Sequence, residues 1–194
     1  RYSRRFDAQQ GIGRLAKLVN EKNAAEARSL LDQQLPQLFN LKLRGEHDAA
    51  LTELIINGKD DTPGYRHYLE QLRDQRPAND TPWESALWAG WAGKVLAAFD
   101  EFRLLCALRR GPSGVEGLNQ RVAAELRRCE LLSGDQGWYE GRPVLVTRND
   151  YSLSLMNGDI GIALWVPGPA AERVLRVAFP RNDGSGGVRF VMPS

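Results

Sequence analysis

FRLLCALRRGPSGVEGLN, residues 102–119, is the stretch that decides the expected fold. Phe102 to Leu108 is an apolar run of strand length, and Gly111 to Gly114 is a glycine-containing loop. A helical pattern follows, with apolar residues at Val115, Leu118, Val122 and Leu126. Strand, loop and helix in this order predict a βα unit of an α/β domain with a parallel sheet.

Helical patterns fill most of the sequence before this unit. Apolar spacing, helix formers and flanking breakers predict helices at residues 12–19, 24–34, 47–56 and 65–76. Leu38 to Leu43 is expected to form a short strand. The segment up to residue 100 is therefore expected to be largely helical.

The clearest helix signal begins at Thr81-Pro82-Trp83-Glu84, which has the composition of a capping box. An apolar residue then recurs every four positions, at Trp83, Leu87, Trp91, Val95 and Phe99, with Trp88 beside them. Two interpretations are open for this Trp-rich helix. Buried packing is favoured, and docking of a protein partner is the alternative.

The pattern changes after Leu131. Short strand candidates at residues 144–147, 160–166, 174–179 and 188–192 are separated by Asn-Gly, Pro-Gly and Asp-Gly turn signals. Such spacing is typical of a small barrel. The sequence therefore predicts two domains, 1–135 and 136–194.

Composition excludes several classes of protein. With 42% hydrophobic and 26% charged residues over 194 positions, the chain resembles an ordinary soluble domain, and no apolar run approaches membrane-spanning length. We expect a cytoplasmic protein with no membrane partner. Two cysteines and two histidines lack metal-ligand spacing, so neither a metal site nor a disulfide framework is expected.

Charge is distributed unevenly although the net charge is only +2. Between residues 103 and 128, six arginines stand against Glu116 and Glu125. A solvated helix face and a surface that binds nucleic-acid phosphates both fit this balance. A freestanding basic nucleic-acid-binding protein fits the low net charge less well.

No catalytic motif is visible from residue chemistry alone. The sequence has no G-x-x-x-x-G-K-[ST] phosphate loop, no G-x-G-x-x-G fingerprint and no H-E-x-x-H. Backbone amides in the Gly111 to Gly114 loop are able in principle to hold a phosphate at the helix N-terminus. Turn geometry is the simpler interpretation of these two glycines.

Three blocks resemble the RecD family of superfamily 1 DNA helicases. Residues 104–119 are similar to a block in that family's second motor domain, and residues 138–144, 148–151 and 157–161 are similar to the block that follows it. Arg5-Phe6, with Gly11-Ile12-Gly13 behind it, resembles the fourth helicase motif. The blocks occur in the family's order, which makes the combined resemblance far more specific than any one block.

The resemblance implies the architecture and the activity of a larger parent. The chain is expected to be a C-terminal segment of the exodeoxyribonuclease V alpha subunit: a partial RecA-like second motor domain with a helical insertion, plus a small Src-homology-3-like barrel. The parent is expected to use ATP and Mg²⁺, to move 5′ to 3′ on single-stranded DNA, and to act with RecB and RecC at double-strand ends. The phosphate loop and the family's later motifs are not in this sequence, so the segment alone is expected to be inactive.

Site residues follow from the resemblance position by position. Arg5 matches the fourth-motif arginine that faces the γ-phosphate, and Arg4 is the alternative because this sequence reads Tyr-Ser-Arg-Arg-Phe where the family has Ser-Tyr-Arg-Phe. DNA contacts are expected at Arg109, Arg110, Asn119, Arg148 and Asn149.

For the barrel loop, a turn role competes with a DNA contact. Asn157-Gly158 is a type I′ hairpin signal, and Asp150 and Asp159 are favoured as carboxylates that brace turns. A different class of function, a non-catalytic module docking partners through the Trp-rich helix and the barrel, stays open as the alternative.

Overall fold

The structure is a computed structural model, and it describes residues 11–33, 35, 38–45, 48–134, 136–168, 172–181 and 184–193. The chain divides into two compact units, residues 1–45 and 46–194. The first unit contains helices α1 (Gly11–Asn20) and α2 (Ala24–Asp32). Its apolar centre consists of Leu18, Ala27 and Leu30, with Leu15, Leu35 and Leu38 packed against them.

The first unit confirms both predicted helices and corrects the predicted strand. Asn23 caps α2, because its side chain accepts a hydrogen bond from the Glu26 amide. No strand forms at Leu38–Leu43, where Leu38 makes only an isolated bridge to Leu35. A single bridge does not extend into a strand without a longer neighbouring segment to pair with.

The second unit combines helices with two antiparallel sheets. The helices are α3 (Ala49–Asn57), α4 (Tyr65–Asp74), α5 (Ala86–Asp100) and α6 (Val115–Arg128). Strands β1 (Gly58–Lys59) and β2 (Thr62–Pro63) form a short hairpin between α3 and α4. These helices confirm the predictions for residues 47–56 and 65–76 to within a few positions.

A four-stranded sheet in the order β3-β4-β5-β6 follows the helices. Its strands are β3 (Pro143–Leu145), β4 (Ile160–Pro167), β5 (Arg173–Pro180) and β6 (Val188–Val191). All neighbours are antiparallel, as Ile162 opposite Ala178 and Ala178 opposite Phe190 illustrate. The four predicted strand segments are therefore confirmed.

One core joins the sheet to the helices. Ile162, Leu164 and Ala178, all fully buried, belong to the same apolar cluster as Trp91 and Val95 of α5. The opposite face of the sheet carries a second cluster, made by Leu155, Val177 and Phe179. Residues on both sides of position 135 thus share one core. The division into domains 1–135 and 136–194 stays a prediction.

The βα unit is only half confirmed. α6 forms where the helical pattern predicted it, but Phe102–Leu108 is not a strand, and both sheets are antiparallel. This apolar run has no neighbouring strand in the described part of the chain, and a strand requires one to satisfy its backbone groups. The fold is thus a mixture of helices and antiparallel strands.

The Trp-rich helix begins four residues later than the capping box predicted. Ser85 is the N-cap of α5, and its side chain accepts from the Leu87 amide. The Thr81 carbonyl instead accepts from the indole N–H of Trp88. Trp88 and Trp91 are each only 3% exposed. The packing interpretation is confirmed, and these two rings are not a docking face.

Two helical glycines give a matched test of the packing around α6. A Cβ on Gly117 would lie 2.5 Å from the Gly111 carbonyl oxygen, whereas a Cβ on Gly90 of α5 meets nothing within 4 Å. We expect Gly117→Ala to lower the free energy of unfolding by about 1–3 kcal/mol through overpacking. Gly90→Ala is expected to raise it by up to about 1 kcal/mol through helix propensity. Denaturant unfolding measures both, and equal changes would contradict the close approach at Gly117.

Candidate nucleic-acid interface

The loop before α6 uses its own backbone amides. The Val115 amide donates to the Leu108 carbonyl at 3.0 Å, and the Glu116 amide donates to the Arg109 carbonyl at 3.2 Å. The Gly114 amide donates to the Gly111 carbonyl, which closes a turn at Gly111, where φ is +88°. The turn interpretation is confirmed. These amides are not available to hold the phosphates of ATP.

Two arginine side chains lie on this loop. Arg109 and Arg110 are exposed, and neither side chain has a polar partner among the described residues. The loop backbone beneath them is fixed by the hydrogen bonds to α6. Both guanidinium groups are therefore free of protein partners in the described part of the chain, as the predicted contacts with phosphates require.

Asn119 opens onto a groove between α6 and β3. The groove has a volume of about 400 Å³, and its walls are largely apolar. Tyr65, Tyr68 and Phe99 lie on one side, and Asn119 and Arg142 provide polar groups on its lining. Neither Arg148 nor Asn149 lines this groove, so the structure does not bring all the predicted DNA contacts into it.

Arg142 is a lining residue that the sequence analysis missed. Its guanidinium lies 5.5 Å from the centre of the Trp138 ring and 5.8 Å from that of Tyr139, and it donates to the Gly137 carbonyl. Such stacking fixes a cation in place. The signal was an arginine three and four positions after two aromatic residues, but only the turn at Gly141 folds it back over them.

The loop between β3 and β4 is braced by its own polar side chains. Asn149 Oδ1 accepts from the Asn157 amide at 2.8 Å, and Asp159 Oδ2 accepts from the Met156 amide at 2.8 Å. Asp150 Oδ1 accepts from the Ser152 hydroxyl and the Leu153 amide, and these bonds hold the pKa of the carboxyl below its usual value. The bracing role of both aspartates is confirmed, while Arg148 stays exposed with no polar partner among the described residues.

The Asn157-Gly158 turn differs from its predicted type. Gly158 has φ of +98°, but Asn157 is not among the residues with positive φ. A type I′ turn requires positive φ at both central positions, whereas type II requires it only at the second. The predicted turn exists, closed by the Asp159 amide and the Met156 carbonyl, and its type I′ assignment is wrong.

Residues 138–144 join the sheet to the helices through Gly141. The buried Tyr68 hydroxyl donates to the Gly141 carbonyl at 3.0 Å, and the Gly141 amide donates to Ala163 of β4. Burial raises the pKa of Tyr68 above its usual value, so the hydroxyl stays protonated. Gly141 has φ of +85°, and a Cβ there would lie 2.9 Å from Leu69. The centre of the 138–144 block therefore has a structural role, because it joins the sheet to the helices.

A pair of charged side chains covers the adjoining edge of β4. The side chains of Arg76 and Glu140 are 16% and 18% exposed, and Arg76 Nη2 lies 2.6 Å from Glu140 Oε2. We call this pair the Trp165 clamp. Glu140 accepts from the Trp165 amide at 2.8 Å, and Arg76 donates to the Trp165 carbonyl at 3.1 Å. The clamp pairs backbone groups that β3 is too short to reach, and it closes an open strand edge.

The predicted ATP contacts, Arg4 and Arg5, lie outside the described residues. Within the part of the chain that the structure describes, no three His, Cys, Asp or Glu side chains cluster to hold a metal. The helices described there are also too short or too polar to cross a bilayer.

Comparison with known proteins identifies the family. The chain is 34% identical over 165 residues to the RecBCD enzyme subunit RecD of Haemophilus influenzae, across 84% of this chain and 25% of that relative. The chain belongs to the RecD family. The RecD subunit of Mycolicibacterium smegmatis is 42% identical over 63% of this chain and 22% of its own length. The RecD subunit of Mycobacterium tuberculosis is 47% identical over 47% of this chain and 16% of its own length. No family model matches the chain.

The similarity covers most of this chain but little of each relative. This chain spans about a quarter of the length of the RecD subunits that it matches.

Proposed function

We propose that this chain works as part of a RecD-type subunit, the alpha subunit of exodeoxyribonuclease V. The parent would be an ATP-dependent superfamily 1 helicase that moves 5′ to 3′ on single-stranded DNA. It would act in the cytoplasm with RecB and RecC, in the processing and recombinational repair of double-strand ends. The observation that carries this proposal is the similarity to RecD subunits over 84% of the chain.

The proposed architecture is that of the family. Residues 1–135 would belong to the second RecA-like motor domain, with its helical insertion, and residues 136–194 would form the Src-homology-3-like barrel. The antiparallel sheet β3–β6 supports a small barrel, because its order is sequential and its two faces carry separate clusters of buried residues.

Within this proposal the chain supplies only part of the chemistry. ATP and Mg²⁺ would be held chiefly by the remainder of the parent, because the amides of Gly114, Val115 and Glu116 at the start of α6 already donate to carbonyl groups of the loop. Arg5, with Arg4 as the alternative, would stabilise charge on the transferring phosphoryl group. The DNA strand would meet Arg109, Arg110, Asn119, Arg148 and Asn149.

Salt dependence of DNA binding tests the arginine pair. We expect the 194-residue chain to bind single-stranded oligonucleotides weakly, without sequence preference, and less tightly as salt rises. Arg109→Ala together with Arg110→Ala should flatten the plot of log affinity against log salt by roughly one to two units, because each lost phosphate contact removes about 0.7 released counterions. Fluorescence anisotropy at several salt concentrations measures the slope.

A matched double variant tests whether the effect depends on where the two arginines lie or only on the loss of two positive charges. Arg127→Ala with Arg128→Ala removes the same two charges from the opposite end of α6, where Arg128 pairs with Glu125. This control is expected to keep the wild-type slope. If both double variants give the same slope, Arg109 and Arg110 do not contact DNA phosphates more than other surface arginines do, and the DNA path lies elsewhere.

The chain alone should not hydrolyse ATP. Positioning the phosphates and neutralising their charge require the phosphate loop and acidic Mg²⁺ ligand of the family, which this sequence lacks. We expect no ATP turnover above background in a coupled assay with saturating single-stranded DNA. Turnover that co-purifies with the chain through successive columns would contradict this division of labour.

A further inference from the structure

Trp138 is a large aromatic side chain that the fold leaves in contact with water. It is 45% exposed, whereas Trp88 and Trp91 of α5 are each 3% exposed. Its indole N–H has no hydrogen-bond partner among the described residues. Exposed tryptophan rings are frequent where a ligand or a partner binds, because one flat ring offers a large contact area at little cost in conformational entropy.

Arg142 fixes the orientation of this ring. Its guanidinium lies over the indole, 5.5 Å from the ring centre, and 5.8 Å from the centre of the Tyr139 ring. The guanidinium also donates to the Gly137 carbonyl, so it contacts the residues before and after Trp138. No second cation or aromatic ring among the described residues is stacked on Trp138, which leaves part of the indole open.

The positive charge of Arg142 is not neutralised within the described part of the chain. Arg142 is half-buried, yet it has no ion pair there. Glu140 is the nearest acidic residue in the sequence, and its Oε2 already lies 2.6 Å from Arg76 Nη2. Arg142 also lines the groove that contains Asn119. This groove therefore has an uncompensated cation that lies over an open aromatic ring, a combination that binds the bases and phosphates of single nucleic-acid strands.

We propose that Trp138 and Arg142 form a stacking site for one base of single-stranded DNA. The base would lie against the open part of the indole, and Arg142 would attract the neighbouring phosphate while it holds the ring in place. Every base has a flat π-face, so the site would bind without sequence preference. The choice of DNA rests on the proposed function, to which this site adds a contact with a base beside the expected contacts with phosphates.

A protein partner is the competing occupant, because tryptophan and arginine are also enriched in protein interfaces. A protein interface requires a broad centre from which surrounding contacts exclude water. The residues before Trp138 are the exposed Gln136 and Gly137, which offer little apolar surface for such a centre. A base requires only one ring, so the observed arrangement favours a base.

Two oligomers of equal length test the contact: oligothymidylate, and an abasic oligomer that has the same phosphates but no bases. In the full parent subunit, we expect Trp138→Ala to weaken binding of oligothymidylate by about 5- to 100-fold and to leave binding of the abasic oligomer unchanged. Trp138→Phe keeps an aromatic ring and should retain most of the affinity. Fluorescence anisotropy at one low salt concentration, without nucleotide, measures each affinity. An equal loss on both oligomers would overturn the stacking site.

Trp165 provides a matched control. It is 37% exposed on β4, and no arginine lies over its ring in the part of the chain that the structure describes. Trp165→Ala should therefore leave the affinity for both oligomers unchanged. If it weakens binding of oligothymidylate as much as Trp138→Ala does, the assignment of the site to Trp138 is wrong.

Arg142→Lys tests whether the planar guanidinium holds the ring. Lysine keeps the positive charge, so binding of the abasic oligomer should stay unchanged, whereas binding of oligothymidylate should weaken. Wild-type affinity for both oligomers would overturn this role of Arg142. If Trp138→Ala weakens assembly with other subunits and leaves DNA binding unchanged, the occupant is a protein and the proposal is wrong. A parent subunit that binds the base through Trp138 but does not unwind DNA would overturn the proposed function alone.

Discussion

In the full polypeptide, Arg5→Ala is expected to lower DNA-stimulated ATP turnover by about 10³- to 10⁵-fold, the loss typical of removing an arginine that faces the transferring phosphoryl group. The planar guanidinium is always charged, and its stabilisation is greatest where charge develops in the transition state. Steady-state kinetics with saturating single-stranded DNA measures the loss in kcat. The unfolding midpoint should stay unchanged.

The neighbouring arginine is the control for this assignment. Arg4→Ala changes the same charge one position away, and we expect turnover to fall little. Arg5→Lys should retain only a small part of the activity, because an ammonium group lacks the planar fork of the guanidinium. If Arg4→Ala carries the large loss, the match to the fourth helicase motif is displaced by one residue. Full turnover in both Ala variants would remove the motif assignment altogether.

Local signals in the sequence predicted most of the elements. Helix α4 lies between Pro63-Gly64 and Pro77, breakers that act within a few residues of the chain they end. Strands β4 and β5 appear as apolar runs bounded by turn residues. Each of these signals depends on neighbours in sequence, so no knowledge of the tertiary structure was needed.

The wrong predictions concern elements whose structure depends on contacts with residues distant in the sequence. Phe102–Leu108 has the composition of a strand, yet a strand forms only when another segment pairs with it. Ser85 rather than Thr81 caps α5, and the Thr81 carbonyl accepts from the indole N–H of the buried Trp88. Sequence alone shows both possible caps and does not show which ring is buried.

The candidate interface was predictable in its residues more than in its geometry. Arg109 and Arg110 are exposed on a fixed loop, as a phosphate-binding role requires, but this followed from a resemblance and not from their spacing. Asn149 was expected at the DNA, and its amide group proves to be engaged with Asn157 and Tyr151. Arg142 was missed because its contacts with Trp138 and Tyr139 exist only after the chain turns at Gly141.

The Trp165 clamp gives the largest expected effect on stability. Glu140→Ala removes the acceptor of the Trp165 amide and leaves the charge of Arg76, which is 16% exposed, without its carboxylate partner. We expect the free energy of unfolding to fall by about 2–4 kcal/mol, somewhat less than for a fully buried pair because water reaches part of the site. Glu140→Gln keeps an acceptor for the amide and should lose about half as much, roughly 1–2 kcal/mol. Denaturant unfolding at neutral pH measures both variants.

An exposed ion pair of the same kind provides the control. Arg73 Nε lies 2.7 Å from Asp74 Oδ1, but the two side chains are 64% and 54% exposed. Asp74→Ala should therefore leave the unfolding midpoint unchanged, because water replaces the lost partner. Hydrogen exchange of the Trp165 amide should also quicken in Glu140→Ala and not in Asp74→Ala. If Glu140→Ala proves as mild as Asp74→Ala, the edge of β4 is protected by the residue 141–142 backbone alone, and the clamp contributes little.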